Sequence, residues 1–268
     1  MNIYKKLMRI TSCFMLIMSV LNFTNYTLAN ELQTHNFKPN KQHGITGRLN
    51  RKQWNDLLKY SHEYVLKNKD SIFPEKNESG FFRINIKAPE ALSKRLNIDK
   101  LRLHYWPIDK SNYIRDESIH NHPKYFESFI INGGYKHSIY KMNQLPIIVG
   151  ARKLNLVRIN KHENGTKTNN KLGNVYVNKE KDEIVKEGDI TVMPTDVIHR
   201  VLFSVPGSLS MNVVYKDKHN KDYYNIMLTD NATDNDILTS RIQIKGKQKD
   251  KIVNEVEKRL LNNLFQRS

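Results

Sequence analysis

His120, His122, Glu127 and His199 are the residues whose types and spacing offer chemistry. Three of them fall in Ser118-Ile119-His120-Asn121-His122-Pro123-Lys124-Tyr125-Phe126-Glu127, and His199 closes the later stretch that begins at Gly188 and passes Pro194. Side chains alternate along a strand, so an extended Ile119 to His122 aims both imidazoles at one point. Glu127 opens the next run, sharing a face with Phe129 and Ile131, and a returning hairpin strand is expected to bring its carboxylate beside the imidazoles. Three imidazoles and one carboxylate bind a divalent metal through nitrogen and oxygen and leave positions for water, substrate or dioxygen. A cation would also offset the cost of burying the carboxylate.

Short strand-like runs supply the scaffold: Phe82 to Ile86, Leu101 to Trp106, Ser118 to His122, Phe126 to Ile131, Tyr135 to Tyr140, Leu154 to Ile159, Asn174 to Val177, Asp189 to Met193, Ile198 to Phe203, Leu209 to Tyr215 and Tyr223 to Leu228. Punctuated by Gly, Pro and Asn, they predict an antiparallel sandwich or barrel over residues 99–230. Lys161 to Leu172, rich in Asn, Lys, Thr and Gly, reads as a long exposed loop. A helical extension over 50–98 precedes the barrel: Asn50 is the expected N-cap of a helix carrying Trp54, Leu57, Leu58, Tyr64 and Val65 near one face, and a short helix runs from Pro89 to Leu96. In the terminal segment 231–268, Ile252, Val253, Val256, Leu260, Leu261, Leu264 and Phe265 recur at helical spacing, which predicts an amphipathic helix packed on the sheet.

The chain has 268 residues, a formal net charge of +17 and one cysteine, Cys13. That length supports one main core. The lone Cys excludes disulfide scaffolds, Cys-ligated zinc and, once the N-terminal segment is removed, a thiol nucleophile. Lys5, Lys6 and Arg9 precede an apolar run over residues 10–23 and the small-residue end Thr27-Leu28-Ala29, the order of a secretory signal peptide over 1–29 cleaved after Ala29. The apolar run is too short for a membrane span, so no stable transmembrane segment is expected after cleavage. A secreted or periplasmic protein with a polar leader over 30–49 follows. Lys is spread through mixed-sign stretches, and neither a basic recognition helix nor an aromatic stacking platform accompanies it. A specific nucleic-acid partner is therefore not expected, whereas contact with an anionic envelope polymer and a homodimer remain open.

The motif residues resemble the cupin superfamily. Its first motif is Gly, five residues, His-x-His, three or four residues, Glu, six residues, Gly; His120, His122, Glu127 and Gly134 fit, although the leading Gly is absent. Its second is Gly, five residues, Pro-x-Gly, two residues, His, three residues, Asn. Gly188, Pro194 and His199 fit, while Asp196 replaces the turn Gly and Phe203 the Asn. Asp tolerates the left-handed turn conformation better than most residues. The resemblance covers about residues 100–215 and implies a mainly β fold, the double-stranded β-helix or jelly-roll barrel, with the helical extension and the C-terminal helix flanking it.

Leu103-His104-Tyr105-Trp106, His120-x-His122, Phe126, Ser128 and Gly133-Gly134-Tyr135 look like the branch near cysteine dioxygenase and related small-molecule oxygenases. Those dioxygenases use three His and lack the Glu, so Glu127 separates this chain from their thiol chemistry. The resemblance implies a metal site of His120, His122, Glu127 and His199, Fe(II) as the favoured cofactor with Mn(II), Ni(II) or Zn(II) as alternatives, and dioxygenase-like chemistry on a small-molecule substrate. Arg102, His104, Tyr125 and Tyr215 are the candidate substrate-binding residues. A non-redox isomerase or lyase at the same ligands, and a non-catalytic secreted cupin that binds a small ligand or an envelope polymer, are the competing readings. His137, His162 and His219 read as surface histidines.

Overall fold

The computed structural model describes residues 47–77, 80–108, 118–143, 150–161, 167–216, 225–230, 237–238 and 242–265. The expected signal peptide, the expected polar leader up to residue 46, His162 and His219 lie outside them. No helix among the described residues is long and apolar enough to cross a membrane.

Asn50 starts the first helix as expected. Its side-chain oxygen accepts from the Gln53 N–H at 2.9 Å, and the Gln53 side chain accepts from the Asn50 N–H at 2.8 Å, a reciprocal capping box that opens α1 (Arg51–Lys67). Replacing Asn50 with Ala is expected to cost about 1 kcal/mol of stability, read as a lowered urea midpoint at unchanged slope. Trp54, Leu57, Leu58, Ser61 and Val65 form its buried stripe. The short helix α2 (Glu90–Leu96) ends at Asn97, whose φ of 55° supplies the left-handed cap. The terminal helix α3 (Gly246–Phe265) begins ahead of the predicted apolar stripe and buries Ile252, Val253, Val256 and Leu260.

The strands are β1 (Glu75–Lys76), β2 (Phe82–Ile86), β3 (Ile98–Tyr105), β4 (Ile119–His120), β5 (Phe126–Asn132), β6 (Gly134–Asn143), β7 (Arg152–Lys161), β8 (Lys167–Lys186), β9 (Ile190–Met193), β10 (Ile198–Ser204), β11 (Leu209–Tyr215), β12 (Asn225–Thr229), β13 (Ile237–Leu238) and β14 (Ile242–Gln243). They make two seven-stranded sheets, ordered β14-β1-β2-β3-β11-β5-β9 and β13-β8-β6-β10-β4-β12-β7, and every pairing is antiparallel. β2 lies inside the first sheet beside β3, so the stretch before residue 99 supplies strands as well as helices. The described residues of the expected loop Lys161 to Leu172 are strand instead, Lys161 closing β7. Lys167 to Leu172 opens β8, and the backbone ladder to β7 holds it although its side chains lack apolar alternation. β7 also pairs with β8, so the second sheet closes on itself.

Both faces of the first sheet are covered. On its outer face Leu101, Leu103, Phe129, Ile131, Met211 and Val213 pack with Trp54, Leu57, Val256 and Leu260 of the two long helices in the main core. Trp54 meets Phe129 at 5.6 Å between ring centroids. Each such buried side chain contributes about 1.5–3 kcal/mol. The inner face carries Ser128, Ser210 and Asn212, all buried, and looks across to the second sheet. The tight β5–β6 turn needs its glycines: a Cβ on Gly134 would stand 2.2 Å from the Val185 carbonyl oxygen.

Candidate metal centre

His120 ends β4, and Asn121 explains why both neighbouring imidazoles turn inward. The Asn121 side chain accepts from the Ile226 N–H at 2.8 Å and donates to the Thr195 carbonyl at 3.2 Å. These bonds fasten it to β12 and to the turn before β10, leaving His120 and His122 on the opposite side. In that turn the Val197 N–H donates to the Pro194 carbonyl at 3.3 Å. Asn97 is the only non-glycine with positive φ among the described residues, so Asp196 does not take the left-handed conformation expected of it. A turn built on negative φ needs no glycine there.

His199, the second residue of β10, stands directly opposite His120 in the β4–β10 register. The ring centroids of His120, His122 and His199 are 4.8, 4.9 and 5.0 Å apart, and their ligand nitrogens lie within 4.8 Å of one another. His122 Nε2 and His199 Nε2 approach to 2.8 Å. Two nitrogens held cis on one ion at about 2.0–2.1 Å stand about 3 Å apart, so the pair already has the spacing of a shared cation. His120 Nδ1 bonds the Ser118 carbonyl at 2.8 Å, which assigns the proton to Nδ1 and leaves Nε2 for the metal. Burial, reinforced by the other three imidazoles around it, holds the His199 pKa well below its usual value, so it stays neutral, the form that binds metal. The three-histidine group thus fits a divalent ion.

Glu127 does not join it. Strand alternation places Phe126 and Ser128 on the cavity wall and Glu127, with Phe129 and Ile131, on the face covered by the helices. There its fully buried carboxylate accepts the Arg48 N–H, the Leu49 N–H at 3.4 Å and the Tyr125 hydroxyl at 3.2 Å. Burial raises its pKa, and these bonds pull it partly back.

The same parity corrects Tyr125 and Tyr215, which flank Glu127 instead of the site mouth. The Arg48 guanidinium lies 4.2 Å from the Tyr125 ring and 4.7 Å from the Tyr215 ring. Burial and the neighbouring carboxylate push both phenols up, although the Tyr215 hydroxyl makes no well-formed hydrogen bond.

A cavity of ≈ 80 Å³ adjoins the three imidazoles. It has room on the order of five waters at about 15 Å³ each. Phe81, Trp106, Phe126 and Tyr135 give it aromatic walls, and Ser128, Ser210, Asn212 and His104 give it polar points. His104 lines the cavity wall. Its ring stacks on Phe81 at 4.4 Å, its Nε2 is buried without a hydrogen-bond partner, and burial with nearby Arg102 and Arg83 keeps it neutral.

Arg102, two residues back on the same face, lies outside the cavity wall; burial and Arg83 lower its pKa to about 10. His137, read as a surface residue, is fully buried and packs edge-on against His199 at 5.8 Å. The alternation Tyr135, His137, Ile139 was the signal for it. Ser210 and Asn212 were missed because small polar residues between Leu209, Met211 and Val213 read as a solvent face.

Ranked by chain order, β3, β4, β5, β6, β8, β9, β10 and β11 are eight strands that fall into the sheets as first-eighth-third-sixth and second-seventh-fourth-fifth. That is the jelly-roll connectivity, with His-x-His leaving the second strand and the late His entering the seventh. The fold is that of a cupin.

No protein-family model and no curated protein matches this chain. Among solved structures it is similar to oxalate decarboxylase from Bacillus subtilis (12% identity, 56% of this chain and 29% of that chain, TM-score 0.28). It is also similar to ycfD from Escherichia coli (11% identity, 67% and 48%, TM-score 0.31), titled a ribosomal oxygenase in a related structure. The chain spans less than half the length of either. Its own strand connectivity defines the fold.

Proposed function

We propose that this cupin is an exported metal-dependent enzyme that acts on a small molecule by dioxygenase-like chemistry, with His120, His122 and His199 holding Fe(II). The observation that carries the reading is the convergence of three neutral-capable imidazoles on the wall of an aromatic-lined cavity. With Glu127 turned away, the remaining three-His set no longer differs from that of the cysteine dioxygenases by an added carboxylate. When bound, Fe(II) would supply open positions at which substrate and O₂ meet and exchange electrons.

The chain's residues supply the rest. Aromatic walls exclude water and strengthen every polar contact inside. His104 Nε2, Ser210 and Asn212 face the cavity and orient a substrate of a few heavy atoms; Asn212 is itself steadied by its 3.1 Å bond to the Ser210 hydroxyl. Asn121 and Ser118 keep the ligand rings aimed. Export rests on Lys5, Lys6, Arg9 and the apolar run ending near Ala29; N-terminal sequencing of the exported protein is expected to begin at Asn30.

Elemental analysis of protein purified without added metal, followed by O₂ uptake after Fe(II) loading, tests the reading. Near-stoichiometric metal and substrate-dependent O₂ consumption are expected; a metal-free, non-binding chain would refute it. The all-imidazole set also favours a second reading, because neutral ligands leave the ion's double charge uncompensated and suit a Zn(II)-type Lewis acid. Zinc in the isolated protein with no O₂ uptake would select that one.

A further inference from the structure

His199 lacks the support that His120 has. A metal-bound imidazole normally donates its other N–H to an outer partner that fixes tautomer and ring angle. His120 does so through Ser118, whereas His199 Nδ1 is buried with no hydrogen-bond partner. The ring packed edge-on against it is His137, whose planes cross at 82°, and His137 Nδ1 is likewise buried and without a partner. The other His137 nitrogen, Nε2, lies 2.9 Å from Glu183 Oε2, and Lys181 binds the second Glu183 oxygen. His137 and Glu183 face each other across the β6–β8 ladder.

We propose that His137 is the positioning residue of the third metal ligand, acting through one water that spans His199 Nδ1 and His137 Nδ1. The donor order is complete. Lys181 donates to Glu183, and the Glu183 carboxylate accepts the His137 Nε2–H. That tautomer leaves His137 Nδ1 as an acceptor for the water, whose oxygen takes the His199 Nδ1–H and turns His199 Nε2 to the metal. Burial pushes the Glu183 carboxyl up, but the bonds from His137 and Lys181 outweigh it and hold it below its ordinary value. Each orphaned ring nitrogen then has the partner that buried polar groups require.

The inference rests on the metal reading above, and Co(II) binding by the full chain separates the two. His137→Phe is expected to weaken Co(II) about 10–100-fold and to shift its visible spectrum. Glu183→Leu is expected to act in the same direction, while Glu183→Gln, whose amide carbonyl still accepts the His137 N–H, stays near wild type. Ring-nitrogen NMR of the metal-free wild type is expected to show His137 protonated at Nε2 and His199 at Nδ1, a readout independent of whether any variant folds. Wild-type affinity and spectrum in His137→Phe, a Glu183→Gln variant as weak as Glu183→Leu, or His137 protonated at Nδ1 would each overturn the proposal. A wild-type chain that binds no Co(II) would remove the metal reading and this one together.

Discussion

Alanine in place of His199 is expected to abolish stoichiometric divalent-metal binding, with a loss beyond the roughly 10–100-fold typical of outer partners. The reason is geometric. His199 alone touches every other member of the cluster: it is the register partner of His120, its Nε2 sits 2.8 Å from that of His122, and its ring packs on His137. Without it, His120 and His122 remain as two nitrogens at one end of a mostly apolar cavity, too few to hold an ion against water. The substitution lies on a seven-residue strand paired on both sides, so circular dichroism should report a retained fold. Metal content after dialysis and Co(II) titration are the measurements, with His62→Ala on α1 as the control that keeps wild-type binding.

Glu127→Ala is expected to give the converse result: full metal content and a large loss of stability. The carboxylate is wholly buried, and its removal strands the Arg48 and Leu49 N–H groups against the sheet. Each unsatisfied buried donor costs about 1–3 kcal/mol, so a loss of about 2–3 kcal/mol in urea unfolding is expected. Had Glu127 been a ligand, metal would leave with it.

The pH dependence has a definite sign. Burial places the folded-state pKa of Glu127 above its unfolded value of about 4.3, so the folded chain holds this proton more tightly. The stability it contributes is fully present below that value and is lost as pH rises through the raised folded value. Glu127→Gln carries no such proton. Its stability relative to wild type is expected to improve between pH 4 and pH 7, and an unchanged or opposite difference in urea midpoints would contradict the assignment.

Much of this was legible from the residues. Asn50 capped its helix, the apolar stripes from Trp54 and Ile252 went to the core, and the His-x-His pair met the late His. Parity was the point where reading failed. A strand with one wet face declares its buried side, but β5 and β11 are buried on both faces, against helices on one side and the cavity on the other. Nothing in Phe126-Glu127-Ser128 says which of its faces looks at metal, so Glu127, Tyr125 and Tyr215 were assigned to the wrong one. The length of β8 was hidden for another reason. Its first residues are held by backbone pairing to β7, which leaves no trace in side-chain pattern.

Glu127 gives β5 a second character. The strand that walls the cavity with Phe126 and Ser128 is gripped from behind by the backbone at Arg48 and Leu49, and a close-packed interior passes strain along instead of absorbing it. Residues 48–49, just before α1, therefore act as a tether on the back of the cavity wall. Loosening the backbone at Arg48 and Leu49 would slacken the same strand that shapes the cavity's inner surface.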